Sequence, residues 1–189
     1  MTGFHVIGIG NAIIDVIQST EDQDLIDMGV QKGIMQLVER ERSEFLLAQQ
    51  ARRGKARLVP GGSVANTLAG IGRMGLKTAF IGRVADDELG QAYAHDTVAE
   101  GTHFINAPVS GGNLPTSRSI IFVTPDGERS MNTYLGISAN LGPDDVADEV
   151  FEGNKWLFLE GYLFDKPAGK AAFLAAANAC HREGGQAGI

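Results

Sequence analysis

The sequence predicts an α/β protein in which a parallel central sheet carries helices and is joined to a second, smaller β layer. Two observations carry this expectation. Short apolar, β-branched runs alternate with helical segments over most of the 189 residues, the pattern of a parallel sheet with helical crossovers. Two further β-rich runs, Thr116–Thr124 and Arg129–Leu135, are joined by Pro125-Asp126-Gly127-Glu128, whose turn chemistry makes them a hairpin outside that alternation.

Val6 to Ile17 is apolar and β-branched with Gly8 and Gly10 embedded, and it reads as a buried first strand ending in polar chemistry. As one strand it would set Ile7, Ile9, Asn11, Ile13 and Asp15 on a single face. A helix is expected around Asp22–Met28, a strand around Gly33–Val38, a helix over Arg40–Arg52 and a strand from Arg57 into a glycine turn. Ser63–Met74 follows as a helix and Thr78–Arg83 as a second buried strand. Asp86-Asp87-Glu88 supplies a cap and favourable macrodipole charge for a helix running to about Glu100. A short strand at Phe104–Ile105, the hairpin, a short helix opened by Pro143, a buried strand over Lys155–Glu160 and a helix over Pro167–Arg182 complete the series. Beyond it, Gly184-Gly185-Gln186-Ala187-Gly188-Ile189 has no apolar run, so no closing strand is expected and the carboxyl terminus reads as cut inside a domain.

Composition narrows the function. Hydrophobic residues at 43% and charged residues at 21% are those of a globular domain. A net charge of −7, with 23 acidic against 16 basic residues and no basic stripe, argues against a nucleic-acid binder that works by neutralising phosphates. The single cysteine, Cys180, permits no intramolecular disulfide and suits a reducing cytoplasm; in its alanine-rich helix it reads as a small buried hydrophobe. Met1-Thr2-Gly3-Phe4-His5 carries no basic signal region, and no apolar run approaches the ~18 residues of a membrane span, so a soluble cytoplasmic protein without a membrane partner is expected.

The chemistry concentrates at Pro60-Gly61-Gly62-Ser63-Val64-Ala65-Asn66, a glycine pair opening a helix of small and apolar residues. Glycine lets backbone approach a ligand closely, and a helix's first turn leaves donors without intrahelical partners. Asn66, four residues after Gly62, adds an amide on the same side of that turn, so the run reads as a site for a polyhydroxylated ligand. The plainer alternative is a glycine turn followed by a packed helix. His5, His95, His103 and His181 have no metal-ligand spacing, and no metal site is expected. Gly8-Ile9-Gly10 lacks the third glycine of a dinucleotide fingerprint, Gly169-Lys170 lacks the rest of a nucleoside-triphosphate loop, and no nucleophile elbow occurs.

Four blocks in order, Gly10-Asn11-Ala12-Ile13-Ile14-Asp15, Gly61-Gly62-Ser63-Val64-Ala65-Asn66, Gly82-Arg83-Val84-Ala85-Asp86-Asp87-Glu88-Leu89-Gly90 and Gly127-Glu128-Arg129, resemble the ribokinase and adenosine kinase (PfkB-type) family of sugar and nucleoside kinases. Ser63, where ribokinases usually carry lysine, makes the chain more similar to the adenosine kinase branch. The resemblance implies a ribokinase-like sandwich with a small β lid, residues 1–189 forming the amino-terminal part of one such domain and lid strands drawn from about 16–20, 33–38, 57–60 and 116–135. It implies that Asn11, Asp15, Gly61, Gly62, Ser63 and Asn66 bind sugar hydroxyls. Arg129 would stabilise the transferring phosphoryl group, and its plain alternative is a solvated strand arginine. Tyr162 would line the pocket, or serve as a core aromatic. The family also implies ATP and Mg²⁺ for the complete enzyme, and pairing of lid sheets into a homodimer. Asp86 and Asp87 read as caps.

One departure bears on activity. The family's glycine-rich anion hole, whose last aspartate is the catalytic base, is absent, and the nearest string, Asp96-Thr97-Val98-Ala99-Glu100-Gly101, falls in a helical stretch. The expectation is a kinase for a sugar or nucleoside hydroxyl, this chain supplying the acceptor pocket and lid and being inactive alone. The rival expectations are a non-catalytic sugar- or nucleoside-binding module and an inactive truncated product.

Overall fold

A computed structural model describes residues 3–189; Met1 and Thr2, part of the segment read above as lacking a signal region, lie outside them. Two five-stranded sheets form the architecture. The first is wholly parallel and built from β1 (Val6–Ile9), β5 (Thr78–Ile81), β6 (Thr102–Phe104), β9 (Trp156–Leu159) and β10 (Gln186–Gly188), in the spatial order β10-β9-β1-β5-β6. The second is mixed and built from β2 (Ile13–Ser19), β3 (Met35–Leu37), β4 (Arg57–Gly61), β7 (Ser117–Val123) and β8 (Arg129–Tyr134), in the order β3-β8-β7-β2-β4. The helices are α1 (Asp22–Met28), α2 (Arg40–Arg53), α3 (Ser63–Arg73), α4 (Glu88–Ala99) and α5 (Pro167–Arg182), with 3-10 turns between β8 and α5.

The central strands β1 and β5 are buried on both faces, which explains their continuous apolar runs. Ile7, Ile9, Ala79, Ile81 and Leu157 pack with Phe173, Ala176 and Cys180 of α5, while Phe80 packs on the other side with Val64 and Leu68 of α3 and Tyr93 of α4. Cys180 is fully buried, as its setting in an alanine-rich helix implies. Gly8 is explained by α3: a Cβ there would lie 2.3 Å from Val64 Cγ1 and 2.7 Å from Leu68 Cδ1. The glycine is a packing device between strand and helix, not part of a dinucleotide loop. Replacing Gly8 by valine overpacks two fully buried neighbours and is expected to cost about 1–3 kcal/mol or more. A thermal melt checks it, and a variant melting with the wild type would rule out this packing.

Three expectations need correction. Val6 to Ile17 is two strands in two sheets, broken at Gly10-Asn11-Ala12. Ile7, Ile9 and Asn11 therefore share no sheet face with Ile13 and Asp15. The parallel ladder ends where the Gly10 N–H donates to the Ile81 carbonyl (3.3 Å), and the next N–H, of Asn11, turns to the Glu160 carboxylate (2.7 Å). The second correction is at the carboxyl end, where Gln186–Gly188 forms a strand parallel to β9, its first N–H bonded to the Lys155 carbonyl at 2.9 Å. Backbone pairing suffices for so short a strand, and it leaves no apolar signature. The third is β6, which lies at Thr102–Phe104 rather than Phe104–Ile105. The segment opened by Pro143 is a 3-10 turn of three residues.

Candidate active site

In the parallel sheet, β5 and β6 extend to one side of β1 and β9 and β10 to the other, so the order reverses between β1 and β9. Ligands of open α/β sheets bind at the carboxyl ends of strands at such a switch point. Here that position holds a polar cluster. Glu160, just after β9 and only 5% exposed, accepts from the Asn11 N–H (2.7 Å) and Nδ2 (2.8 Å) through Oε2, and from the Ser63 hydroxyl (2.5 Å) through Oε1. The Ser138 hydroxyl donates to Asn11 Oδ1 at 2.9 Å. Both ends of the Asn11 amide are thus engaged within the protein, and the side chain is buried. Asn11 acts here as a strut between the sheets.

Gly61 and Gly62 carry the chain from β4 back to α3 beside this cluster. A Cβ on Gly61 would lie 2.7 Å from Asp15 Oδ1, so the carboxylate sits directly against the glycine backbone. Gly62 has φ +99°, and a Cβ there would meet the Asn11 carbonyl oxygen at 2.5 Å; both constraints require glycine. The Tyr93 hydroxyl, fully buried, donates to the Gly61 carbonyl at 3.2 Å and fixes the turn from below. Burial, helped by the Glu160 and Asp15 charges, holds this phenol well above its ordinary pKa and keeps it a donor.

Asp15 lies in β2, half-buried, in register with Val59 of β4 and Ser119 of β7. Burial raises its pKa from 3.8 to about 6, opposed by the positive charge of Arg129. Arg129 opens β8 at the exposed end of the hairpin, and the strand registers place it on the same sheet face as Asp15. Along this face a row runs from Asp15 through Ser119 and Thr133, whose hydroxyls bond each other at 2.8 Å, to Leu37. Leu37 and its neighbour Met35 are 63% and 51% exposed, large apolar side chains at the far end of the row from the carboxylate.

The remaining expected residues are dispersed. Ser63 opens α3 on a cleft of about 430 Å³ that Phe158, Glu160, Tyr162 and Asp165 also line. Tyr162 is 73% exposed there, not a core aromatic. Asn66 is exposed and lines a small crevice with Pro60, Thr97, Glu100 and Thr102. Asp87 caps α4, accepting from the Gly90 N–H (2.8 Å) and from Thr116, while Asp86 accepts from Gln91 and Ser110. Both carboxylates are committed to structure.

Among the described residues, the string nearest the family's anion hole does not fit a nucleotide's phosphates. Asp96–Ala99 lies within α4, where the Glu100 N–H already bonds the Asp96 carbonyl, so this string offers no free backbone donors. Among the described residues no group of three or more His, Cys, Asp or Glu is placed to hold a metal ion, and no helix is long and apolar enough to cross a membrane.

Residues 33–186 match the model of the pfkB family carbohydrate kinases. The chain belongs to that family. This pfkB chain is 31% identical to a fructokinase of Klebsiella pneumoniae over 136 residues, 70% of this chain and 43% of that protein. It is 30% identical to a 5-dehydro-2-deoxygluconokinase of Geobacillus kaustophilus over 118 residues, 61% of this chain and 35% of that protein. Among solved structures it is similar to adenosine kinase from Sinorhizobium meliloti (45% identity, TM-score 0.83, 97% of this chain and 55% of that one). It is also similar to a probable sugar kinase from Rhizobium etli CFN 42 (46%, TM-score 0.84, 99% and 56%). A Trypanosoma brucei brucei adenosine kinase superposes with TM-score 0.86 at 19% identity, a likeness of fold. The pfkB chain thus spans a little over half of the solved relatives and less than half of the curated ones. Its fold is the α/β ribokinase-like one that the motifs implied.

Proposed function

We propose that this chain forms the acceptor-binding part of an ATP-dependent kinase that phosphorylates a hydroxyl of a nucleoside or related sugar, the mixed sheet serving as lid. One observation carries the reading: a half-buried carboxylate, Asp15, held against the Gly61–Gly62 backbone beside the switch point of the parallel sheet. A carboxylate there accepts from sugar hydroxyls by the stronger, charge-assisted class of hydrogen bond. Arg129 shares the sheet face of Asp15, Ser63 and Tyr162 line the neighbouring cleft, and Asn66 lies in a separate crevice. On this reading the nucleotide, its Mg²⁺ and the catalytic base would be held by the part of the family's domain that these 189 residues do not cover. The row from Asp15 to Leu37 favours a nucleoside over a monosaccharide: it crosses three strand spacings, roughly 14 Å at about 4.8 Å each, and ends in exposed apolar side chains suited to a base.

Asp15→Ala is expected to weaken adenosine or sugar binding by about 1.5–3 kcal/mol in calorimetry. Unchanged affinity with an intact circular dichroism spectrum sinks the assignment. The raised pKa adds a pH signature. Acceptor affinity should fall as pH drops through about 6, because the protonated carboxyl loses its charge. Stability runs the other way: the native pKa of about 6 lies above the ordinary 3.8, so this group's contribution is full below 3.8 and is lost as pH rises through about 6. Asp15→Asn should therefore stabilise the fold near pH 8, by about 1–2 kcal/mol after solvent screening, while impairing binding.

A further inference from the structure

Glu160 touches both Gly10-Asn11-Ala12 and Gly61-Gly62-Ser63. Its Oε2 takes both donors of Asn11 and its Oε1 takes the hydroxyl proton of Ser63. A carboxylate only accepts, so the Ser63 hydrogen is directed at Glu160 and cannot point at a ligand. What remains of the hydroxyl on the side of the 430 Å³ cleft is its oxygen lone pairs. We propose that Glu160 is a positioning residue that fixes the Ser63 hydroxyl as a hydrogen-bond acceptor facing this cleft, so that the site selects ligands presenting a hydroxyl or amino donor there. This rests on the acceptor-site reading given above.

The alternative role for Glu160 is structural alone, a buried peg that ties Asn11 to β9, and the two roles respond differently to one substitution. In Glu160→Gln the side-chain shape is kept, and the amide oxygen still accepts from the Asn11 N–H and Nδ2. The amide nitrogen, however, is a donor facing Ser63, and it turns the serine hydrogen outward into the cleft. A peg survives this change; a selector is reversed by it.

The experiment uses the 189-residue chain, with titration calorimetry of adenosine, 2′-deoxyadenosine, 3′-deoxyadenosine and ribose, and a thermal melt of each variant. The wild type should bind adenosine. Glu160→Gln should bind it about tenfold or more weakly with little change in melting temperature, since a ligand donor now meets a serine donor. Ser63→Ala should weaken binding similarly, and the double variant should be no worse than Ser63→Ala alone. One deoxyadenosine should bind the wild type more weakly than adenosine does, yet bind Glu160→Gln as well as adenosine does. Full affinity in Glu160→Gln, with wild-type binding present, overturns the inference and leaves the acceptor-site reading standing. A Glu160→Gln chain that melts far below the wild type assigns Glu160 the structural role and also overturns it. Absence of binding of every probe by the folded wild type overturns both.

Discussion

A polypeptide of these 189 residues, given ATP, Mg²⁺ and adenosine, ribose or fructose, is expected to release no ADP above the acceptor-free control. On the reading proposed above Asp15 binds the acceptor rather than taking its proton, and among the described residues the nearest match to an anion hole is closed into α4. General-base catalysis alone is typically worth about 10²–10⁴-fold, and the loss of backbone donors around the phosphoryl group adds about 10²–10³-fold for each donor. Asp86 and Asp87, the paired carboxylates with the first claim to replace the base, are held by Gly90, Gln91, Ser110 and Thr116. Acceptor-dependent turnover near the ~10 s⁻¹ of ordinary enzymes would overturn this account. Joining the chain to the half of the Sinorhizobium meliloti adenosine kinase that it does not cover separates the two readings of the family. Restored turnover supports the kinase, whereas retained binding without turnover in a folded fusion favours a non-catalytic binding module.

The parallel sheet was legible because each of its longer strands is a compact apolar run, and the hairpin because Pro125-Asp126-Gly127-Glu128 carries turn chemistry in its side chains. The break at Gly10-Asn11-Ala12 was not legible, because alternation of apolar residues continues through it. What ends β1 is a bond from the Asn11 N–H to Glu160, 149 residues away, and local pattern holds no trace of it. β10 was hidden for the opposite reason, since its pairing is carried by backbone alone. The same division holds at the site. Gly62 could be read from the sequence because its φ of +99° and its contact with Asn11 leave no other residue type. Glu160 and Ser138 were missed, although Glu160 had a usable signal: a polar residue directly after the apolar strand Trp156–Leu159. The engagement of both ends of Asn11 could only come from coordinates, because composition does not say which of two polar partners an amide prefers.

Arg129→Ala, in the fusion to the part of the Sinorhizobium meliloti adenosine kinase that the chain does not cover, is expected to lower kcat and kcat/KM together by about 10³-fold with little change in KM. The turn before it is built to hold this residue in place. Gly127 takes φ +86°, Asp126 accepts from Thr124 (2.6 Å) and the Glu128 N–H (3.3 Å), and Lys32 pins Asp126 at 2.6 Å. Lys32 and Thr124 hold the Asp126 carboxyl well below the ordinary carboxylate range, so this lock persists in mild acid. The guanidinium itself is exposed, and its influence on Asp15 is exerted through space. A cation on the same sheet face as Asp15 but not paired with it would be free to meet the charge that develops on a phosphoryl group, which is why its loss should appear in the transition state. The competing role is ground-state attraction for the acceptor, and it predicts a rise in KM at constant kcat. A second readout separates the two. Because Arg129 lowers the Asp15 pKa, its removal should move the pH below which acceptor binding fails upward from about 6. A tight fall in kcat with that upward shift supports both placements of Arg129. A variant with full kcat and an unmoved pH profile would return it to an ordinary solvated arginine on the mixed sheet.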